Sequence, residues 1–290
     1  MKRREFVTLL GGVAAWPLAA RGQQPERMRK IGVIQGVEAS NPEAQLRAKA
    51  FQQRLLELGW TEGRNVRIDY RWAGSNADRI RSYAKEMISL KPDVIFAAST
   101  PIVAALLKET RTIPIVFVQV VDPVAVGFVA SLGRPGGNVT GLTNFEFSMG
   151  SKWLETLKAV SPSLVRTAVI YNPQTAPYAG ALLGSIATAA PSFAVESIDT
   201  PFHDATEIDR AIDTFAQIPN GGLIVLPDTS NLVNRDRIIE RTARHRLPAI
   251  YPFRYYVTSR WSDVLWNRFN RRNHASHFIC RPHHAGYEAR

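Results

Sequence analysis

The chain has 290 residues, 45% of them hydrophobic and 21% charged, which excludes a disordered polymer and fits one large domain or two ordinary lobes. A formal charge of +11 would suit a nucleic-acid partner, but residues 1–30 carry +5, residues 260–290 carry +4 and residues 31–259 only about +2. The charge is therefore no argument for nucleic acid, the lone Cys280 excludes an intrachain disulfide framework, and no apolar run reaches the roughly 18 residues of a membrane span.

The chain opens on Met1-Lys2-Arg3-Arg4-Glu5-Phe6, followed by a weakly apolar stretch from Val7 to Ala20 and then Ala20-Arg21-Gly22. A charged start, a short apolar run and small residues at a junction form the pattern of an export signal. Arg3-Arg4-x-Phe6 resembles the twin-arginine form, with cleavage expected near Gly22. No cysteine follows the apolar run, so a lipid-anchored start is not expected.

Ile31-Gly32-Val33-Ile34 reads as the first strand. Leu46, Ala50, Phe51, Leu55 and Leu58 give residues 42–58 an amphipathic helical pattern, opened by Asn41-Pro42 and closed by Gly59. Val66 to Trp72 alternates, as a half-exposed edge strand does. A helix at 76–89, a buried strand at 93–98, a helix at 101–110 and a strand at 113–118 follow, before a Gly-rich stretch from Gly133 to Gly141. The pattern then repeats: helix 148–160, strand 167–171, helix 177–190, strand 193–198, helix 205–217, strand 222–227, helix 231–245 and strand 248–251. Short apolar strands alternating with helices imply an α/β fold with parallel sheets covered on both faces. Two such series imply two similar lobes, assigned here to residues 31–145 and 146–259.

Ligands of open parallel sheets collect at the C-terminal ends of the strands. The residues there are Gln35, Ser99 and Thr100, Gln119, Asp122, Tyr171 and Asn172, Asp228, and Tyr251. Ser99 and Thr100 enter a helix whose free N–H groups suit a carboxylate. Each position also has a plain structural reading. Ser99, Thr100, Asp122 and Asp228 are ordinary N-cap types, and Tyr171, Asn172 and Tyr251 suit turns or packing. Enzyme signatures are missing: Gly133-Arg134-Pro135-Gly136-Gly137-Asn138 has no phosphate-loop spacing, there is no GxSxG, and His203 and His245 are the only body histidines. His245 sits in a basic helix and reads as solvated. No catalytic residue, cofactor or metal site is assigned. The spacing of His274, His277, Cys280, His283 and His284 lacks a scaffold.

These landmarks resemble the ABC-transporter substrate-binding proteins of the tryptophan/tyrosine-binding-like group. The matching segments are Arg3-Arg4-Glu5-Phe6, Glu57-Leu58-Gly59-Trp60-Thr61-Glu62-Gly63-Arg64-Asn65-Val66 and Ile113-Pro114-Ile115-Val116-Phe117. Asp122-Pro123-Val124, Arg134 to Gly141, Gly222-Leu223-Ile224-Val225 and Leu247 to Pro252 continue it to about residue 259. The resemblance implies a type I periplasmic-binding-protein fold with two Rossmann-like lobes and a ligand cleft. It implies a periplasmic, monomeric receptor that passes a small solute, an amino acid or a related molecule, to an ABC permease in the inner membrane. For such a ligand, Ser99 and Thr100 would take the carboxylate, Asp228 and Asp122 the ammonium, and Tyr171 and Tyr251 the side chain. The alternatives are a ligand-sensing domain of the same fold or an exported α/β enzyme. A sensing domain of that kind would carry a DNA-binding helix-turn-helix where this chain has an export signal.

After Ser259 the chain departs from the resemblance. Arg260 to Phe269 can be encoded so that a one-base shift yields Gly-Gly-Leu-Met-Ser-Tyr-Gly-Ile-Asp, and Phe278 to Pro282 so that it yields Ser-Tyr-Val-Asp-Arg. Both strings are typical of the group. Residues 260–290 therefore read as an out-of-frame tail, with the last elements of the fold missing, a sheet edge and a helix-packing surface left uncovered, and function impaired.

Overall fold

A computed structural model describes residues 27–258 and 278–280. The export signal, its cleavage point, the histidine-rich spacing and nearly all of the out-of-frame tail lie outside the described residues.

Five parallel strands make the first sheet: β1 (Arg29–Gln35), β2 (Val66–Trp72), β3 (Val94–Ala98), β4 (Ile115–Val121) and β5 (Val139–Phe145). Their order is β2-β1-β3-β4-β5, so β2 is the edge strand its alternation predicts. Helix α1 (Pro42–Glu57) starts where the Asn41 side chain accepts the Ala44 N–H, and α2 (Ala77–Ser89) where Asn76 accepts from Arg79. Together with the apolar α3 (Thr100–Glu109), α2 covers one face, burying Met87, Ile95, Ile102, Leu106 and Phe117. Each such side chain contributes about 1.5–3 kcal/mol of burial. The other face is thinner: Val33, Val66 and Ile68 meet Phe51 and Leu55 of α1. The stripe expected on α1 is thus only half used, and Leu46 and Leu58 face solvent.

The second sheet has the order β10-β9-β8-β6-β7. Its parallel members are β6 (Arg166–Tyr171), β7 (Glu196–Pro201), β8 (Gly221–Val225) and β9 (Ala249–Tyr251). Helices α4 (Met149–Val160) and α5 (Ala179–Ala189) cover one face around Trp153, Leu154, Leu182 and Ile186. On the other face, α6 (Ala205–Phe215) and α8 (Arg235–Arg244) pack Ile208, Ile212, Ile238 and Ile239. A short α7 (Thr229–Val233) precedes α8, and α9 (Tyr255–Thr258) follows β9.

The structure corrects several expectations. The Gly-rich stretch ends in a strand, β5, whose burial alternates and whose Gly141 has no room for a side chain. A Cβ there would stand 2.1 Å from the Phe117 carbonyl oxygen. Strand β7 begins three residues later than expected, because a 3-10 turn (Ala190–Phe193) and Ala194 in the left-handed region use up the intervening chain. The helix expected at 231–245 divides at Asn234. The edge beside β9 is occupied: β10 (Phe278–Cys280) pairs with it antiparallel, Ile279 opposite Ile250. His245 is paired rather than free, its Nε2 2.7 Å from Asp213 Oδ1, in a lattice where Arg241 also joins Asp213 and Asp209.

Candidate functional site

Loops from both sheets meet where Gly36 follows β1. A side chain at Gly36 would stand 2.8 Å from Thr229 Cγ2 and 3.2 Å from Ser99 Oγ. Ser99 follows β3 and Thr229 opens α7 after β8, so strand-end loops of the two lobes form one seam. Val37 and Ala44 of the first lobe are buried in the second lobe's cluster around Leu232 and Tyr256. Glu43 of α1 lies 3.9 Å from Arg235 of α8, and the Arg47 guanidinium lies 5.4 Å from the centre of the Tyr255 ring.

On the first-lobe side, the backbone is strained. Ser99 has φ +119°, Gln119 +57° and Asp122 +41°. Such conformations cost about 1–3 kcal/mol each and persist where the surroundings impose them. Gln119 owes its conformation to a bulge, since the pairing of β4 with β5 shifts register between Phe117 and Val120. Ser99 is only 6% exposed, and its hydroxyl has no hydrogen-bond partner among the described residues. A buried hydroxyl left unpaired costs about 1–3 kcal/mol more. Strain and an unmet polar group coincide on one side chain at the seam. Thr100 is buried beside it, its hydroxyl oxygen accepting the Val121 N–H at 3.2 Å.

Asp122 is committed to backbone, its carboxylate accepting from the N–H groups of Ala125 in its own loop and of Phe147 just after β5, both at 3.1 Å. Gln119 accepts from Arg47 Nη1 at 3.0 Å. Gln35 closes β1, buried at the same sheet edge. These residues, with Ser99 and Thr100, occupy the C-terminal edge of the first sheet.

On the second-lobe side, the buried carboxylate of Asp228 is satisfied. Asp228, the N-cap of α7, accepts the Asn172 N–H at 2.8 Å, the Ser230 N–H at 2.9 Å and the Thr175 hydroxyl. Burial pushes its pKa up to about 6 against the pull of these donors, so at neutral pH the carboxylate is mainly charged. Asn172 forms an Asx turn onto Gln174 and donates to the His203 carbonyl. Tyr171 is packed among Phe145, Tyr178 and Ala179, and burial raises its pKa. Tyr251 is fully buried, its hydroxyl 2.7 Å from Thr242 Oγ1. Both tyrosines hold the scaffold rather than stand at the seam.

Sequence reasoning missed three seam residues. Thr229 contributes a buried hydroxyl oxygen with no partner among the described residues. Tyr255 lies in a ladder of rings running Trp153, Phe145, Phe253, Tyr255, Tyr256, Tyr251, with centroids 5.1–5.6 Å apart. Burial raises the Tyr255 pKa to about 12, although Arg47 opposes the shift. Arg47 is the third. The Phe253-Arg254-Tyr255-Tyr256 run just beyond β9 was the available signal, since aromatic side chains at a strand end suit a binding wall. Among the described residues, no three His, Cys, Asp or Glu side chains gather as metal ligands would.

The profile of the family described as "ABC transporter substrate binding protein" matches residues 30–250. A tyrosine-binding protein of Clostridioides difficile (strain R20291) is 31% identical over 221 residues, 73% of this chain. The chain spans 63% of that relative's length. The crystal structure of an ABC domain in complex with L-Trp from Streptococcus pneumonia is 21% identical, with a TM-score of 0.66 over 76% of this chain and 72% of that one. A ligand-free, open structure of a substrate-binding protein with adhesive properties from Clostridium difficile is 28% identical, with a TM-score of 0.51 over 76% and 73%.

Proposed function

The chain belongs to the ABC transporter substrate-binding protein family, and we propose that it captures an aromatic amino acid between its lobes for an inner-membrane ABC permease. The family binds substrate and is not enzymatic. The observation that carries the ligand reading is Ser99, a strained and buried hydroxyl without a partner among the described residues, facing the second lobe across the seam. The 31% identity to a tyrosine-binding protein supports the aromatic side chain.

In this reading Ser99, Thr100 and the N–H groups opening α3 receive the amino-acid carboxylate. Asp228, charged at neutral pH, draws the ammonium, and the Tyr255 ring faces the aromatic side chain. Asp122, Tyr171, Asn172 and Tyr251 shape the loops behind these contacts, and Gln35 and Gln119 stand beside them at the first sheet's edge. Closure follows because the ligand gains contacts on the second lobe only when the lobes meet. The lobes correspond to residues 31–145 and 146–259. Residues 1–22 direct export to the periplasm, where the protein acts as a monomer. The tail from 260 is out of frame and leaves the first lobe and the hinge without their last elements, which impairs closure; resequencing the gene tests that part directly.

Isothermal titration with L-tyrosine and L-tryptophan tests the whole reading. Ser99→Ala or Asp228→Asn is expected to weaken binding by about tenfold or more, the equivalent of one lost charged or buried hydrogen bond. Gly36→Val is expected to prop the seam open, read as a larger radius of gyration by small-angle scattering with ligand present. Absence of binding by either amino acid, or unchanged affinity in both polar variants, would overturn the proposal.

A further inference from the structure

A small cavity lies between α1 and the C-terminal edge of the first sheet. Its volume is about 40 Å³, and Gln35, Arg47, Gln119, Tyr70, Phe51 and Phe96 are among the side chains that line it. A single water needs about 10–15 Å³ on the same measure, so the space suits a group of a few heavy atoms and is too small for a phenol or indole ring.

The wall is largely apolar, and Arg47 is the one charged side chain among the described residues that line it. Among the described residues, Arg235 and Arg47 both reach across the seam. Arg235 is paired, to Asp236 at 3.2 Å and to Glu43 at 3.9 Å. Arg47 has no carboxylate within 4 Å among the described residues. It donates to the Gln119 side-chain carbonyl at 3.0 Å and lies over the face of the Tyr255 ring. The acid one turn before it on α1, Glu43, is the one that faces Arg235. Gln119, which holds the guanidinium, sits in the β4 bulge at φ +57°. A half-buried guanidinium is thus aimed by a strained residue into a cavity, with a neutral acceptor where an anion would bind more strongly.

We infer that Arg47, oriented by Gln119 and assisted by Gln35, is the specificity-determining residue that supplies the positive charge for the solute's carboxylate. The inference deepens the proposed function and rests on the seam being an amino-acid site. Ser99 and Thr100 are neutral, and the end of α3 offers only about half a charge, whereas a carboxylate removed from water needs a full partner. The Tyr255 ring, which touches the same guanidinium from the second lobe, makes that charge sensitive to closure.

The test compares L-tyrosine with L-tyrosinamide, and L-tryptophan with L-tryptophanamide, by titration on the full chain and on Arg47→Gln and Arg47→Lys. The unsubstituted chain should prefer each acid over its amide by about tenfold or more. Arg47→Gln should lose that preference through weaker binding of the acid alone, and Arg47→Lys should keep part of it. Matching thermal midpoints would show that the variants fold alike. Equal losses for acid and amide in Arg47→Gln, or no loss, would overturn the inference while leaving the amino-acid site intact. Failure of the unsubstituted chain to bind any of the four compounds would overturn the site itself, and Arg47's role with it.

Discussion

The two lobes meet at one seam but prepare their edges in opposite ways. The first lobe brings positive φ at Ser99, Gln119 and Asp122, a bulged strand and an unpaired hydroxyl. At the matching edge of the second lobe, Asp228 has an ordinary extended backbone and three donors on its carboxylate. Its left-handed residues, Ala194, Asn220 and Arg246, lie in turns that lead into strands β7, β8 and β9. One lobe therefore stores backbone strain at the seam, and the other presents a relaxed backbone around a fully bonded carboxylate, with the Thr229 hydroxyl left unpaired beside it among the described residues. In the proposed function, solute completes the first edge and is oriented by the second.

The harshest way to break the comparison is Gly141→Ala. The new Cβ would strike the Phe117 backbone, one pairing away from the bulge, and should cost about 4 kcal/mol by wrecking the β4–β5 ladder. Urea unfolding measures it, and a cost under about 1 kcal/mol would mean that the bulge does not depend on this close approach. Next is Asp228→Ala, which strands the N–H groups of Asn172 and Ser230 at about 3 kcal/mol.

The same carboxylate sharpens the comparison through pH. Its folded pKa of about 6 lies above the ordinary 3.8, so the folded state holds the proton more tightly. Its contribution to stability is complete below about pH 4 and is lost as the pH rises through 6, by up to about 3 kcal/mol. Asp213 works in the opposite direction, its pKa lowered first by His245 and then by Arg241, so its contribution is lost as pH falls. The difference between the parent chain and Asp228→Asn, followed from pH 4 to 7, isolates the first effect. A difference that stays flat across that range would refute it. The smallest change falls at Ser99. Ser99→Gly should stabilise the fold by about 1 kcal/mol, by relieving positive φ and removing an unpaired hydroxyl, while weakening solute binding. Loss of stability there would place Ser99 among structural caps.

The elements with strong local signals were legible in the chain. Asn41, Asn76 and Asp204 announce helix starts, and the apolar runs of β3 and β8 announce buried strands. Strand β5 was not legible, because its glycine, asparagine and threonines speak locally for a loop; only the neighbouring β4 backbone gives Gly141 its reason. The strand-end rule put Ser99 and Asp228 at the sheet edges where the structure has them, because parallel topology alone brings them there. It could not separate Tyr251, turned into the core onto Thr242, from Tyr255, four residues on and at the seam. Nor could it find Arg47, which lies within a helix and becomes part of the edge only when α1 packs across the sheet.

All five strands of the first sheet come from residues 29–145, and β6 begins only at Arg166. During synthesis, the first sheet therefore has every strand it needs before any strand of the second exists. At the usual elongation rate of about 5–20 residues per second, it leads completion of β9 by roughly 5–20 s. Parallel sheets pair slowly because their contacts are distant along the chain, so this interval matters. The lobe that carries the strained edge has time to form without competing strands from its partner.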